Sequence, residues 1–338
     1  MALKQQLDHY GSFTIHYPNE IIESPVISVI MAVYNCDIFL DDAIQSIINQ
    51  TFSEFELIVI NDGSTDQSFD LLLQWQTIDN RMIIINQENM GLTKSLNRGL
   101  SLARGEFIAR HDCDDYSHKE RFNKQLAIFD HHPNVIIVGS DVAWIDETNT
   151  ILDIMAGPQS YSDALSCFFD IANPYVHGSI MVRKHVLQIL NGYRDAFQTS
   201  QDFDLYIRMT QVQGEWRSVP EVCYYLRIHS NSITAKKWML QLRHGLACAR
   251  QIQTLFPNKM RHSTIWKYIV KKLCVGLFSF ISPVAFYYFR KAYITFDQDE
   301  NHDQAIMFFR LGNSFSRVHF PEMSLPVMAK MLRFLRRK

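Results

Sequence analysis

The chain has 338 residues, 47% of them hydrophobic and 20% charged. That is enough apolar material for a packed core and enough length for one large domain with an appendage, or for two domains, so wholesale disorder is excluded. Its 33 Lys and Arg against 35 Asp and Glu give a formal net charge of −2, which excludes a uniformly basic nucleic-acid binder.

Residues 1–25 read as a polar arm. The first twenty lack an apolar core and a small-residue cleavage site, so no signal peptide is expected. Ile27–Val33 is a continuous apolar run suited to a strand buried on both faces. Asp37–Asn49 has helical spacing, and Phe55–Ile60 is a second strand. Asp66 is placed to cap a helix whose apolar side carries Phe69, Leu72, Leu73 and Trp75. Met82–Ile85 is a third strand, Leu92–Leu102 a helix, and Glu106–Ala109 a fourth strand. Strands alternating with helices at this spacing imply βαβ units and a mostly parallel sheet, which binds ligands beyond the carboxyl ends of its strands. Val135–Val138 and Val142–Ile145 read as two strands joined by a Gly139-Ser140-Asp141 turn. Ser179–Val182 is a strand, Asp202–Thr210 a helix, Arg217–Leu226 a strand, and the chain from Trp238 onward largely helical. The composition turns basic and aromatic near residues 256–262, the expected end of a catalytic region spanning 26–255.

The polar clusters follow the strands. Asp112-Cys113-Asp114-Asp115 puts three carboxylates in four residues, which stay charged most easily around a cation. Hard oxygen ligands point to Mg²⁺ or Mn²⁺ shared with substrate phosphates. An acidic loop capping the next helix explains the same residues equally well. Cys113 alternates away from its neighbours and reads as core. Asn61-Asp62-Gly63-Ser64 lets the backbone approach a base or ribose, or is an ordinary strand-to-helix turn. Gly91 and Lys94 sit at a helix N-terminus that suits a diphosphate. Asp202 opens another helix and is placed to act as a general base, or merely to cap it. His229 and His177 are candidate phosphate or metal contacts, although a lone histidine is more often structural. Six scattered cysteines without a C-x-x-C pair fit reduced thiols in a cytoplasmic protein.

In order along Ile27–Thr234 these elements resemble family 2 glycosyltransferases of the bacterial cell-surface polysaccharide type. The blocks are ISVIMAVYN, SIINQTFSEFELIVINDGSTD, NMGLTKSLNRGLSLARGEFIARHDCDD, ERFNKQLAIF, HGSIMVRK, NGYRDAF, QDFDLYIRM and YYLRIHSNSIT. The resemblance implies an α/β, GT-A fold that binds a nucleoside diphosphate sugar, with a UDP-sugar the first choice. It implies that Val33, Asn35, Asn61 and Asp62 line the nucleotide pocket, with Gly91 and Lys94 near the diphosphate. Asp112 would approach the sugar nucleotide, with Cys113 in the same DXD segment. Asp114 would hold the metal with His229, and Asp202 would be the base. Two departures stand out: Asn61 where an acid is common, which bears on base preference, and Gln201 where the family commonly has Glu.

Residues 1–255 have a net charge of −11 and residues 256–338 one of +9. The basic tail flanks an apolar stretch, Leu273–Phe289, and ends in MAKMLRFLRRK, Met328–Lys338. It fits either a peripheral contact with the cytoplasmic leaflet, where a lipid-linked saccharide acceptor would lie, or a helical brace for the catalytic part. Transfer to a polyprenyl phosphate and non-catalytic binding of a nucleotide sugar are the competing functions.

Overall fold

The computed structural model describes residues 2–19, 23–229, 237–260, 264–265 and 268–269. The apolar stretch Leu273–Phe289 and the basic segment Met328–Lys338 lie outside the described residues. Among those described, no helix is long and apolar enough to cross a membrane.

The N-terminal arm contains two strands, β1 (Ala2–Asp8) and β2 (Gly11–Tyr17), paired antiparallel as a hairpin. The next elements alternate: β3 (Ile27–Val33), α1 (Asp37–Ile48), β4 (Phe55–Asp62), α2 (Ser68–Ile78), β5 (Met82–Gln87), α3 (Leu92–Leu102) and β6 (Phe107–Asp112). They are followed by β7 (Tyr116–Ser117), α4 (Arg121–His131), β8 (Val135–Ile145), β9 (Ile151–Met155) and α5 (Tyr161–Phe169). A 3₁₀ turn at His177–Ser179 leads into β10 (Met181–Arg183), α6 (Lys184–Ile189), α7 (Gln201–Met209), β11 (Glu215–Arg227) and α8 (Trp238–Leu255).

The strands form one sheet in the order β1-β2-β5-β4-β3-β6-β10-β8-β11-β7, with β9 beside β8. The central four, β5-β4-β3-β6, are parallel. They are the apolar runs of the sequence: every residue of β4 is buried, as a strand covered on both faces requires. The chain steps outward from β3 to β4 to β5, then returns to the far side of β3 for β6. Strand order therefore reverses at β3, which is where ligands bind in open α/β sheets. Helix α1 buries Leu40, Ala43, Ile44 and Ile47 against the sheet at helical spacing.

One expectation is corrected. Val135–Ile145 is a single eleven-residue strand, not two strands about a turn. Gly139 serves close packing instead, because a Cβ there would collide with the Tyr175 ring. That ring belongs to an aromatic cluster around buried Trp216, with Phe168 and Tyr206.

The chain separates into two compact units. The first takes Met1–Ile145, Ile151–Phe168 and Ala172–Arg227 and holds the whole sheet. The second takes Asp146–Thr150, Phe169–Ile171 and the described residues from Ile228 onward. Within it, Cys248 and Ile252 of α8 are buried, and the Tyr268 hydroxyl donates to the Gln241 carbonyl at 3.0 Å. The boundary expected near 256–262 lies inside this second unit.

Candidate active site

The ends of β3, β4, β5 and β6 and the segments that follow them carry Asn35, Asp62, Gly91, Lys94 and the Asp112–Asp115 run, and Asp202 opens α7. Val33 ends β3 fully buried, and Asn35 follows in a left-handed conformation, φ 49°. The Asn35 amide donates to the Ser64 hydroxyl at 3.1 Å, and its side-chain oxygen accepts from the Thr65 amide at 2.8 Å. The loops after β3 and β4 are thereby tied to each other. Asp66 stands one residue before Gln67, the N-cap of α2, and ties the starts of two helices: one oxygen accepts from the Ser68 amide and the other from the Asp37 amide.

Asp62 is only 3% exposed and holds the next loop. Its carboxylate accepts from the Gln87 side chain at 2.7 Å, the Met90 amide at 2.8 Å and the Gly91 amide at 2.9 Å. Gly91 takes a positive φ of 89° at the N-terminus of α3, and its N–H is spent on Asp62. The Lys94 ammonium lies 5.7 Å from the centre of the Tyr10 ring. Asn61, on the opposite face of β4, donates to the Asn86 side-chain oxygen at 2.7 Å.

The three carboxylates after β6 have separate fates. Asp112 is a third exposed and sits 2.5 Å from the guanidinium of Arg110, two residues earlier on the same strand face. Burial raises its proton affinity, and the Arg110 charge opposes that rise. Asp115 is 3% exposed and accepts from the Tyr224 hydroxyl and the Arg227 amide, both at 2.7 Å. Burial, then the charges of Asp114 and Asp112, push its pKa well up. Asp114 is half-buried, and its carbonyl accepts from the Arg227 side chain at 2.9 Å. Cys113 is half-buried, with its carbonyl accepting from the Cys36 thiol at 3.0 Å. Among the described residues, no group of three or more His, Cys, Asp and Glu side chains is gathered as for a metal.

Asp202 stands in the first turn of α7, after Ser200 in a left-handed conformation. Its carboxylate accepts from the Asn173 amide group at 2.5 Å and from the Phe203 backbone at 2.8 Å. Burial holds its pKa above the usual aspartate range, while both hydrogen bonds and the Arg110 charge pull it down. Asp202 in turn raises the proton affinity of Asp112. Arg110, the ion-pair partner of Asp112, is itself only 2% exposed. His177 is a packing residue: its Nε2 pairs with the Tyr193 hydroxyl at 2.7 Å, and burial keeps it neutral. Gln201 is buried. His229 belongs to the second unit, where it is 8% exposed.

Sequence reasoning misses Arg110, Tyr224, Arg227 and Arg98. Arg110 leaves a signal, since a charge two residues before Asp112 in an apolar strand shares its face. Arg98 leaves none, because its partners are remote. Its guanidinium donates to Asp8 at 2.6 Å and 2.9 Å and to Gln87 at 2.6 Å, so it joins the hairpin to the residue that binds Asp62.

Over residues 28–189 the chain matches the family model described as Glycosyl transferase family 2. It is 31% identical over 210 residues to the O-antigen biosynthesis glycosyltransferase WbnJ of Escherichia coli, covering 61% of this chain and 81% of that protein. The amylovoran biosynthesis glycosyltransferase AmsE of Erwinia amylovora is 26% identical over 213 residues, with 62% and 79% covered. Among solved structures, S. aureus TarS 1-349 in complex with UDP-GlcNAc aligns with a TM-score of 0.52 at 18% identity, covering 92% of this chain and 87% of that one. The mannosyltransferase PcManGT from Pyrobaculum calidifontis, in complex with GDP-Man and Mn²⁺, gives 0.53 at 12%, covering 92% and 85%. At these identities the structural likeness speaks for the fold alone, and it bears out the expected GT-A architecture.

Proposed function

Because this chain belongs to glycosyl transferase family 2, we propose that it moves a sugar from a nucleoside diphosphate sugar to a hydroxyl acceptor, with inversion at the anomeric carbon. The observation that carries this reading is the Asp202 carboxylate in the first turn of α7, held by Asn173 and the Phe203 backbone, in a chain whose β6 ends on the Arg110–Asp112 ion pair. Asp202 takes the proton from the acceptor hydroxyl as that oxygen attacks opposite the leaving diphosphate. A single base suffices, and no covalent enzyme intermediate is needed.

Val33, Asn35, Asn61 and Asp62 serve the nucleotide. Asp62 does so by fixing the Met90–Gly91 backbone, and Asn35 by fixing the loop after β4. Gly91 and Lys94 border the diphosphate, and Asp112 and the Cys113 backbone border the sugar. Asp115 bonds Tyr224 and Arg227, and Asp112 pairs with Arg110; Asp114, the position to which the resemblance gives the metal, is the carboxylate for Mg²⁺ or Mn²⁺. One or two carboxylates plus phosphate oxygens and water make an ordinary site for such a cation, so the donor set fits. When bound, the metal supplies positive charge to the departing diphosphate. His229 keeps the metal or diphosphate role that the resemblance implies. The ligands in the TarS and PcManGT complexes, UDP-GlcNAc and GDP-Man with Mn²⁺, support a nucleotide-sugar donor and a divalent cation. The names of WbnJ and AmsE support a role in bacterial polysaccharide synthesis; a UDP-sugar donor and a lipid-linked saccharide acceptor at the cytoplasmic leaflet are our extension of that reading.

Replacing Asp202 by Asn tests the assignment. Transfer should fall by about 10²–10⁴-fold, while nucleoside diphosphate binding measured by calorimetry stays within a few-fold. Retained transfer would sink the base assignment, and joint loss of transfer and binding would point to a donor-site role instead.

A further inference from the structure

The N-terminal hairpin leaves one edge of the sheet open. Among the described residues β1 pairs with β2 and with no other strand, so it is the edge strand at that end. Its register with β2 runs unbroken from Ala2 opposite Tyr17 to Asp8 opposite Gly11. The two-residue turn His9-Tyr10 closes on Asp8 and Gly11, so these two exchange both of their main-chain hydrogen bonds. The alternation of an antiparallel ladder then turns the N–H and C=O of Gln6 and Lys4 toward β2, and those of Leu3, Gln5 and Leu7 outward. The same three residues carry exposed side chains on one face of the strand, Leu3 at 68% and Leu7 at 80%.

A free edge is ordinarily blunted by a proline, a bulge or well-placed charges. β1 has no proline and no register shift, and its charges, Lys4 and Asp8, lie on the other face, that of Phe13 and Ile15. The strand is presented on a firm base, since Phe13 and Ile15 are buried and Arg98 bonds Asp8. What fits the edge follows from the strand itself. Leu3-Lys4-Gln5-Gln6-Leu7 has the same apolar and polar pattern in both directions about Gln5. A second copy laid antiparallel, with a two-fold axis at Gln5, sets Leu3 opposite Leu7, Gln5 opposite Gln5 and Leu7 opposite Leu3. Those are the outward-facing residues, so about six main-chain hydrogen bonds can form. Lys4 stands opposite Gln6, with Asp8 of the second copy within diagonal reach, and no two like charges stand directly opposite.

We propose that β1 is an interaction surface for a second copy of this chain, the two strands pairing antiparallel about Gln5 so that the sheet runs on from one copy into the other. Leu3 and Leu7, wet in a single copy, then pack against each other across the axis. The strand precedes residue 28, where the family match begins. The pairing goes beyond the sugar-transfer reading and does not depend on it.

Sedimentation velocity on the full chain, from about 1 to 300 µM, should show a monomer–dimer equilibrium, since a contact of this size holds at about micromolar strength or weaker. Gln5→Lys puts two ammonium groups face to face across the axis and should raise the dissociation constant by about fivefold or more. The fold should survive, because Gln5 is exposed and its backbone groups face away from β2. Gln5→Cys gives a second readout. The α-carbons of a hydrogen-bonded cross-strand pair lie about 5.5 Å apart, within disulfide reach, so mild oxidation should link this variant into a covalent dimer. Leu3→Cys, whose two copies lie far apart along the paired strands, should link no faster than the unaltered chain with its native cysteines. A monomer at every concentration would overturn the proposal, whatever other strand takes the edge. So would a dimer that Gln5→Lys leaves intact and Gln5→Cys does not link, because the copies would then meet elsewhere.

Discussion

Asp202 and its neighbours set the pH response. A general base must be ionised, and burial holds the Asp202 pKa above its ordinary value. Transfer should therefore fail as pH drops through that raised pKa, with the acid limb in kcat/KM lying above the ordinary aspartate range. The Asn173 hydrogen bond favours the ionised form, so Asn173→Ala should move this limb to still higher pH. A limb that stays put or moves down would contradict the assignment. The acids after β6 make a second test. Asp115→Ala strands the Tyr224 hydroxyl and the Arg227 amide in the interior, and should cost about 2–5 kcal/mol in a denaturant melt. Asp114→Ala should abolish stimulation of transfer by Mn²⁺. That these acids follow a buried strand was legible in the sequence. Which of them is walled in was not, because Tyr224 and the Arg227 amide reach Asp115 across more than a hundred residues.

At the scale of elements, the alternation of strands and helices from β3 to β6 was legible because each period is local. The hairpin was not: Phe13 and Ile15 are its buried apolar side chains, and its pairing partner β5 lies some seventy residues on. Gly139 misled because a glycine between apolar runs signals a turn as readily as a tight packing contact. Gly178, in the 3₁₀ turn, has the same kind of duty. A Cβ there would strike the Tyr224 hydroxyl, which bonds Asp115 and the Asp112 amide. Gly178→Ala should cost about 1–3 kcal/mol of stability and lower kcat as well, because the displaced hydroxyl disturbs the DXD backbone. Unaltered melting and turnover together would show that the turn yields without consequence.

For the whole molecule, the near-zero net charge hides an acidic sheet-bearing region and a basic remainder. The acids that matter in the first are few. The role of the second is testable with the full chain and a variant in which Arg333, Arg336 and Arg337 become Glu. Flotation with vesicles containing anionic lipid should carry the unaltered chain in low salt and leave the variant behind. Equal recovery of both in the soluble fraction would favour the brace.

The tie between Asp8 and Arg98 also has a consequence for the order of assembly. Two strands alone are marginal in water, and the anchoring guanidinium lies ninety residues downstream. At about 5–20 residues per second of synthesis, the first strands made wait roughly 5 to 20 s for the residue that fastens them. A ribosome pause between β2 and α3 would lengthen the life of an unpaired edge, and the nucleotide end of the site would be among the last parts of the first hundred residues to close.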